Sequence, residues 1–69
     1  MFITDAKKVE EGDIINKDGN KLVVDLVRES MIRYRRIKQV AGAVVAGGMT
    51  STKLLQVMID NQEATVERP

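Results

Sequence analysis

The residues Val9–Val27, VEEGDIINKDGNKLVVDLV, decide the fold of this chain. Asp18-Gly19 stands between two apolar runs, Ile14-Ile15 and Leu22-Val23-Val24. A two-residue type I′ turn needs positive φ at both central positions. Asp tolerates that and Gly favours it, so the segment is predicted to form a β-hairpin. Lys17 and Asn20 flank the turn as polar residues. In the second strand, alternation puts Leu22, Val24 and Leu26 on one face and Val23, Asp25 and Val27 on the other. The first face is wholly apolar. The second carries one acid between two valines, which suits a half-covered surface. Glu11-Gly12-Asp13 reads as a tight turn leading into the first strand, with Gly12 supplying backbone freedom.

Before the hairpin, Phe2 and Ile3 suit an edge strand or a plug at one end of a barrel. Thr4 or Asp5 offers an N-cap for a single helical turn that Gly12 would end. After the hairpin, Glu29-Ser30 marks a turn. Met31–Val40, MIRYRRIKQV, then admits two readings. As a strand it puts Ile32 and Tyr34 inward and Arg33 and Arg35 outward, with a β-bulge at Arg35-Arg36 restoring the phase of Ile37. As a helix over residues 30–46 it aligns Tyr34, Ile37, Ala41, Val44 and Val45 at three- and four-residue spacing. The β-branched valines, Gly42 and the habit of hairpins to gain a third strand favour the first. Ala41–Gly48 reads as a flexible connection, and Met49–Ile59 as a further strand, although Leu54, Leu55 and Met58 also suit one helix face. Asp60-Asn61 is a turn signal, and Ala64–Glu67 a last short strand. The resulting expectation is a mainly β fold, a small, partly open barrel of about five strands. The alternative is an α+β fold, a hairpin plus a helix over residues 30–46.

With 69 residues there is room for a single domain with a thin margin of stability. Cysteine and histidine are both absent, which removes disulfides, structural zinc and every Ser-His or Cys-His pair. No cofactor is implied, and an enzyme is not expected. Phe2 and Tyr34 are the only aromatics, so the core has to be aliphatic. A core this small points to a homo-oligomer. The net charge is only +1, yet Lys and Arg concentrate between Arg28 and Lys38. No stretch is apolar and long enough to span a membrane, and the first residues lack the pattern of a signal sequence. The expected location is cytoplasmic.

Two segments carry the candidate chemistry. Arg33, Arg35 and Arg36 form a basic stretch able to grip phosphate or carboxylate in bidentate fashion, with Tyr34 available to stack a base if exposed. The bland counterpart is a solvated face whose arginines pair with Asp25 or Glu29 across the sheet. In Gly47–Lys53, GGMTSTK, two glycines free the backbone to aim N–H groups at a phosphate, Thr50, Ser51 and Thr52 add hydroxyls, and Lys53 adds charge. The spacing is not that of a P-loop, and a plain connection into a strand is its bland counterpart. Asp5, Glu10, Glu11 and Asp13 lack EF-hand spacing and read as a solvated acidic turn.

Glu11-Gly12-Asp13-Ile14-Ile15 and Gly47-Gly48-Met49-Thr50-Ser51-Thr52-Lys53, in that order around a basic strand, resemble small SH3-like β-barrel proteins encoded by bacteriophages. The resemblance covers most of the chain and implies a small barrel with a binding or counter-defence role. The expected function is therefore a binding module. Its ligand would be phosphate-bearing, a nucleotide or nucleic acid, met by Arg33, Arg35, Arg36 and the Thr50–Lys53 segment. The alternatives are a module that inhibits or bridges a host protein through a β-edge or its methionines, and a structural homo-oligomer.

Overall fold

The structure, a computed structural model, describes residues 1–36 and 47–69. Asp18 and Gly19 adopt φ of 51° and 76°, as a type I′ turn requires. They join β2 (Ile14–Lys17) to β3 (Asn20–Val27), with Lys17 opposite Asn20 and Ile15 opposite Leu22. Glu29-Ser30 is the tip of the next turn, closed by Arg28 and Met31 exchanging N–H···O bonds of 2.8 and 3.4 Å. It leads into β4 (Met31–Arg36), which pairs in turn with β5 (Gly47–Ser51). On the other flank β2 pairs with β6 (Ala64–Glu67), and β6 with the two-residue β1 (Phe2–Ile3). The result is one open antiparallel sheet of six strands in the order β1-β6-β2-β3-β4-β5.

The mainly β reading therefore holds, with six strands in place of about five. Met31–Arg36 is a strand, so a helix over residues 30–46 is overturned as far as Arg36; residues 37–46 lie outside the described residues. The single helical turn is present as a 3-10 turn, Ala6–Lys8, capped by the Asp5 carboxylate accepting from Lys7 N–H at 3.0 Å. Val9, not Gly12, ends it.

Two expectations fail for local reasons. β4 pairs regularly with β3 from Arg36 to Tyr34, so no bulge sits at Arg35-Arg36. The bulge lies in β3: Val24 is opposite Tyr34, Leu26 is opposite Arg33, and Asp25 is the extra residue. One inserted residue reverses the alternation downstream. Val27, not Leu26, therefore packs toward the core.

The second failure is at Leu54–Ile59. The strand stops at Ser51 and helix α1 (Thr52–Asp60) follows. The Ser51 hydroxyl accepts from Leu54 N–H at 2.9 Å, satisfying one of the donors that a helix start leaves bare. Leu55, Met58 and Ile59 then face the sheet at helical spacing, while Leu54 and Val57 stay exposed. α1 ends where Gln62 takes a φ of 60°, with Gln62 N–H bonded to Ile59 O and Glu63 N–H to Met58 O, a Schellman closure.

α1 joins β5 at one edge of the sheet to β6 near the other, and so covers one face. The buried side chains between them are Ile3, Ala6, Val9, Ile15, Val24, Ile32, Leu55, Ala64 and Val66. This core is aliphatic, as the composition requires. Gln56 ties α1 to the N-terminal segment: its Oε1 accepts from Ala6 N–H at 2.8 Å and its Nε2 donates to Thr4 O at 3.1 Å.

Candidate anion-binding face

The face of the sheet away from α1 carries Ile14, Val23, Asp25, Leu26, Arg33, Arg35, Gly47 and Met49, by the strand register and the bulge. The bulge lifts Asp25 out of the ladder beside β4. Its Oδ1 accepts from Arg33 Nε at 2.9 Å and its Oδ2 from Arg35 Nε at 2.7 Å. Each guanidinium is thus held by one charge-assisted bond. The Nη groups of both have no partner among the described residues. Asp25 is largely covered by this arrangement, with its side chain 19% exposed, whereas Arg33 and Arg35 are 47% and 64% exposed. The hydrogen bond from Arg33, its charge and the matching influences of Arg35 outweigh the opposing effect of burial, and the Asp25 carboxyl titrates below its ordinary value.

Beside this trio the face is open. Gly47 stands opposite Arg35 and offers no side chain. A shallow cleft of about 470 Å³ results, lined by Asp25, Arg33, Tyr34, Arg35, Gly47, Gly48 and Met49. Two exposed guanidiniums against one carboxylate leave positive charge uncompensated at its floor.

The remaining sequence candidates lie elsewhere. Arg36 is opposite Leu22 at the end of the sheet, in a separate cleft with Lys17, Asp18, Asn20 and Tyr34. Thr50 is opposite Ile32 and buried. Ser51 spends its hydroxyl on the helix cap. Thr52 and Lys53 line a third cleft with Asp5, Lys7, Glu29 and Ser30. The structure brings Arg33 and Arg35 together and leaves the other five away from them: strand alternation turns Arg36 and Thr50 to the α1 side of the sheet, Ser51 caps the helix, and the helix carries Thr52 and Lys53 to another surface.

The glycine pair belongs to strand β5 and not to a loop. Gly48 pairs with Tyr34 across the strands, and a Cβ on Gly48 would lie 2.7 Å from Tyr34 Oη and 2.8 Å from Cζ. The glycine is there so that the phenol can lie across it. Tyr34 is thereby packed against the core, on the face opposite Arg33 and Arg35, and stacks no base beside them.

The acidic turn also differs from the expectation of a solvated one. Asp13 is 1% exposed. It accepts from Arg68 Nε at 2.9 Å and Nη2 at 3.0 Å, and from Glu10 N–H at 2.8 Å. Burial pushes its carboxyl up most strongly, but the Arg68 hydrogen bonds, the Glu10 N–H and the Arg68 charge together win, and it titrates below its ordinary 3.8. Arg68 also donates to Lys8 O at 3.1 Å and lies 3.4 Å from the Glu10 carboxylate. Among the described residues no group of three acids is placed to hold a metal ion, and no helix is long and apolar enough to cross a membrane.

No protein-family model matches the chain, and no curated protein or solved structure does either. The fold defines a class, an open antiparallel sheet with one helix across one face.

Proposed function

We propose that the chain is a non-enzymatic binding module that takes a phosphate-bearing ligand, a nucleotide or a nucleic acid, on the face of the sheet away from α1. Arg33 and Arg35 make the contact. The supporting observation is their shared grip on Asp25, at 2.9 and 2.7 Å through Nε. That grip orients both guanidinium planes before a ligand arrives and leaves the Nη donors for it. Arginine suits this task because its fork matches the geometry of phosphate oxygens. The small uncompensated charge predicts modest affinity that falls as salt rises. Arg36, Thr50, Ser51, Thr52 and Lys53 are left out of this contact surface.

The test is a titration with ATP and, separately, with a short single-stranded oligonucleotide, followed through the arginine Nε–H resonances. Arg33 and Arg35 signals should move, and the double variant R33Q/R35Q should lose about tenfold or more in affinity, equivalent to about 1.4 kcal/mol. Response to ATP alone assigns a nucleotide, and tighter binding of the oligonucleotide assigns nucleic acid. Binding that survives the double substitution, or no binding of either probe, rejects the reading.

A further inference from the structure

β5 is the long edge of the sheet. Among the described residues it pairs only with β4. The direction of its backbone groups follows from one bond, Thr52 N–H to Ser30 O at 3.0 Å. Thr52 and Ser30 continue the β4–β5 register by one step, so they form a hydrogen-bonded pair. In an antiparallel ladder such pairs alternate with non-bonded ones. Thr50 with Ile32 and Gly48 with Tyr34 are therefore bonded pairs. Gly47, Met49 and Ser51 are the intervening residues, and their N–H and C=O groups point away from β4 to the open side. The Ser51 carbonyl is taken by the first turn of α1, as a capping residue's is.

Natural edges are shielded by charge, proline, bulges or shortness. Gly47–Ser51, GGMTS, has no charged residue and no proline, and its pairing with β4 is regular. Its central side chain, Met49, is 61% exposed. Leu54, 52% exposed, lines the same small cleft as Met49. The opposite edge, β1, has only two residues and is protected by its length.

We propose that this edge pairs with the same edge of a second copy of the chain, antiparallel about a two-fold axis at Met49. The strand is its own complement in this arrangement. Met49 N–H and C=O meet those of the second Met49. Ser51 N–H meets the Gly47 carbonyl of the other copy, and the reverse, giving four backbone hydrogen bonds from groups that all point outward already. The two Met49 side chains adjoin on one face. Arg33 and its copy are separated by three strand spacings, about 14 Å, which exceeds the Debye length of about 8 Å at physiological salt. Their repulsion is therefore weak. The shortness of β1 disfavours head-to-tail growth, so the assembly closes as an isologous dimer of one continuous sheet. This pairing does not depend on anion binding.

Sedimentation equilibrium of the full chain over a concentration series tests it, together with amide hydrogen exchange. The wild type should dimerise, and Gly47, Met49 and Ser51 amides should be protected at high concentration and exposed on dilution. Met49→Lys, which puts two ammonium groups at the axis, should raise the dissociation constant at least about tenfold. Met49→Pro removes an outward N–H that β4 does not use and should do the same. An unchanged far-UV dichroism spectrum for either variant shows that the fold survives. A wild type that stays monomeric to about 1 mM overturns the proposal. So does a dimer that neither folded variant weakens.

Discussion

Two carboxylates in this chain are each gripped by arginine, and their surroundings separate what they do. Asp13 is buried, takes both a guanidinium fork and a backbone N–H, and ties the turn before β2 to the segment after β6. Asp25 lies on an open face and spans two alternate positions of one strand, Arg33 and Arg35. The first joins residues 55 positions apart; the second joins residues 8 and 10 apart. Long sequence separation means that the Asp13 pair exists only when β6 and β2 are assembled. It reports on folding. The Asp25 trio needs only the β3–β4 hairpin, and its exposed guanidiniums remain available to something outside the chain.

The largest expected effect follows from breaking the buried member. Asp13→Asn keeps the shape but removes the charge that Arg68 faces. Loss of a buried, charge-assisted hydrogen-bonding group of this kind costs about 2–3 kcal/mol, a large part of the stability of so small a domain. Urea unfolding should show a clear fall in midpoint with little change in slope. An unchanged midpoint would mean that Asp13 is as dispensable as a surface residue.

A pH series comes next in size. The folded-state value of Asp13 lies below its ordinary 3.8, so the folded form holds fewer protons than the unfolded one through that window. The stabilisation is complete above about 3.8 and is lost as pH falls through the depressed folded value. Urea midpoints measured from about pH 6 to about pH 2 should decline at the acid end. In Asp13→Asn that decline should flatten. A variant with the same acid slope as the wild type would assign the transition to other carboxylates.

The sequence held one of these two assemblies in readable form. Asp25 interrupts an otherwise apolar strand, and Arg33 and Arg35 share a parity two residues apart, so their meeting across a hairpin follows from alternation. The Asp18-Gly19 turn is legible for the same reason: everything that fixes it is local. Asp13 with Arg68 is not legible, because nothing near either residue signals a partner at the other end of the chain. The facing of Leu26 and Val27 was lost to a bulge, which pattern alone does not locate. At Ser51 the periodicity fits either state. The choice of helix depends on a hydroxyl cap and on the need for the chain to cross from β5 to β6. Strand alternation buries Thr50, and the switch makes Ser51 a cap and carries Thr52 and Lys53 to a separate cleft, so a cluster in sequence is none in space.

The smallest expected effect concerns the exposed member and sharpens the contrast most. A double-mutant cycle on Asp25→Asn and Arg33→Gln should give a weak coupling at low salt, because surface ion pairs hold little net energy against solvation and side-chain freedom. In about 1 M salt, where the Debye length is about 3 Å, it should vanish. The same cycle on Asp13→Asn and Arg68→Met should keep its coupling, since ions do not reach a carboxylate that is 1% exposed. If both couplings fade together with salt, burial is not what distinguishes the two sites. The inner pair and the outer trio would then be equally open to solvent, and exposure would give no reason to assign the anion contact to Arg33 and Arg35.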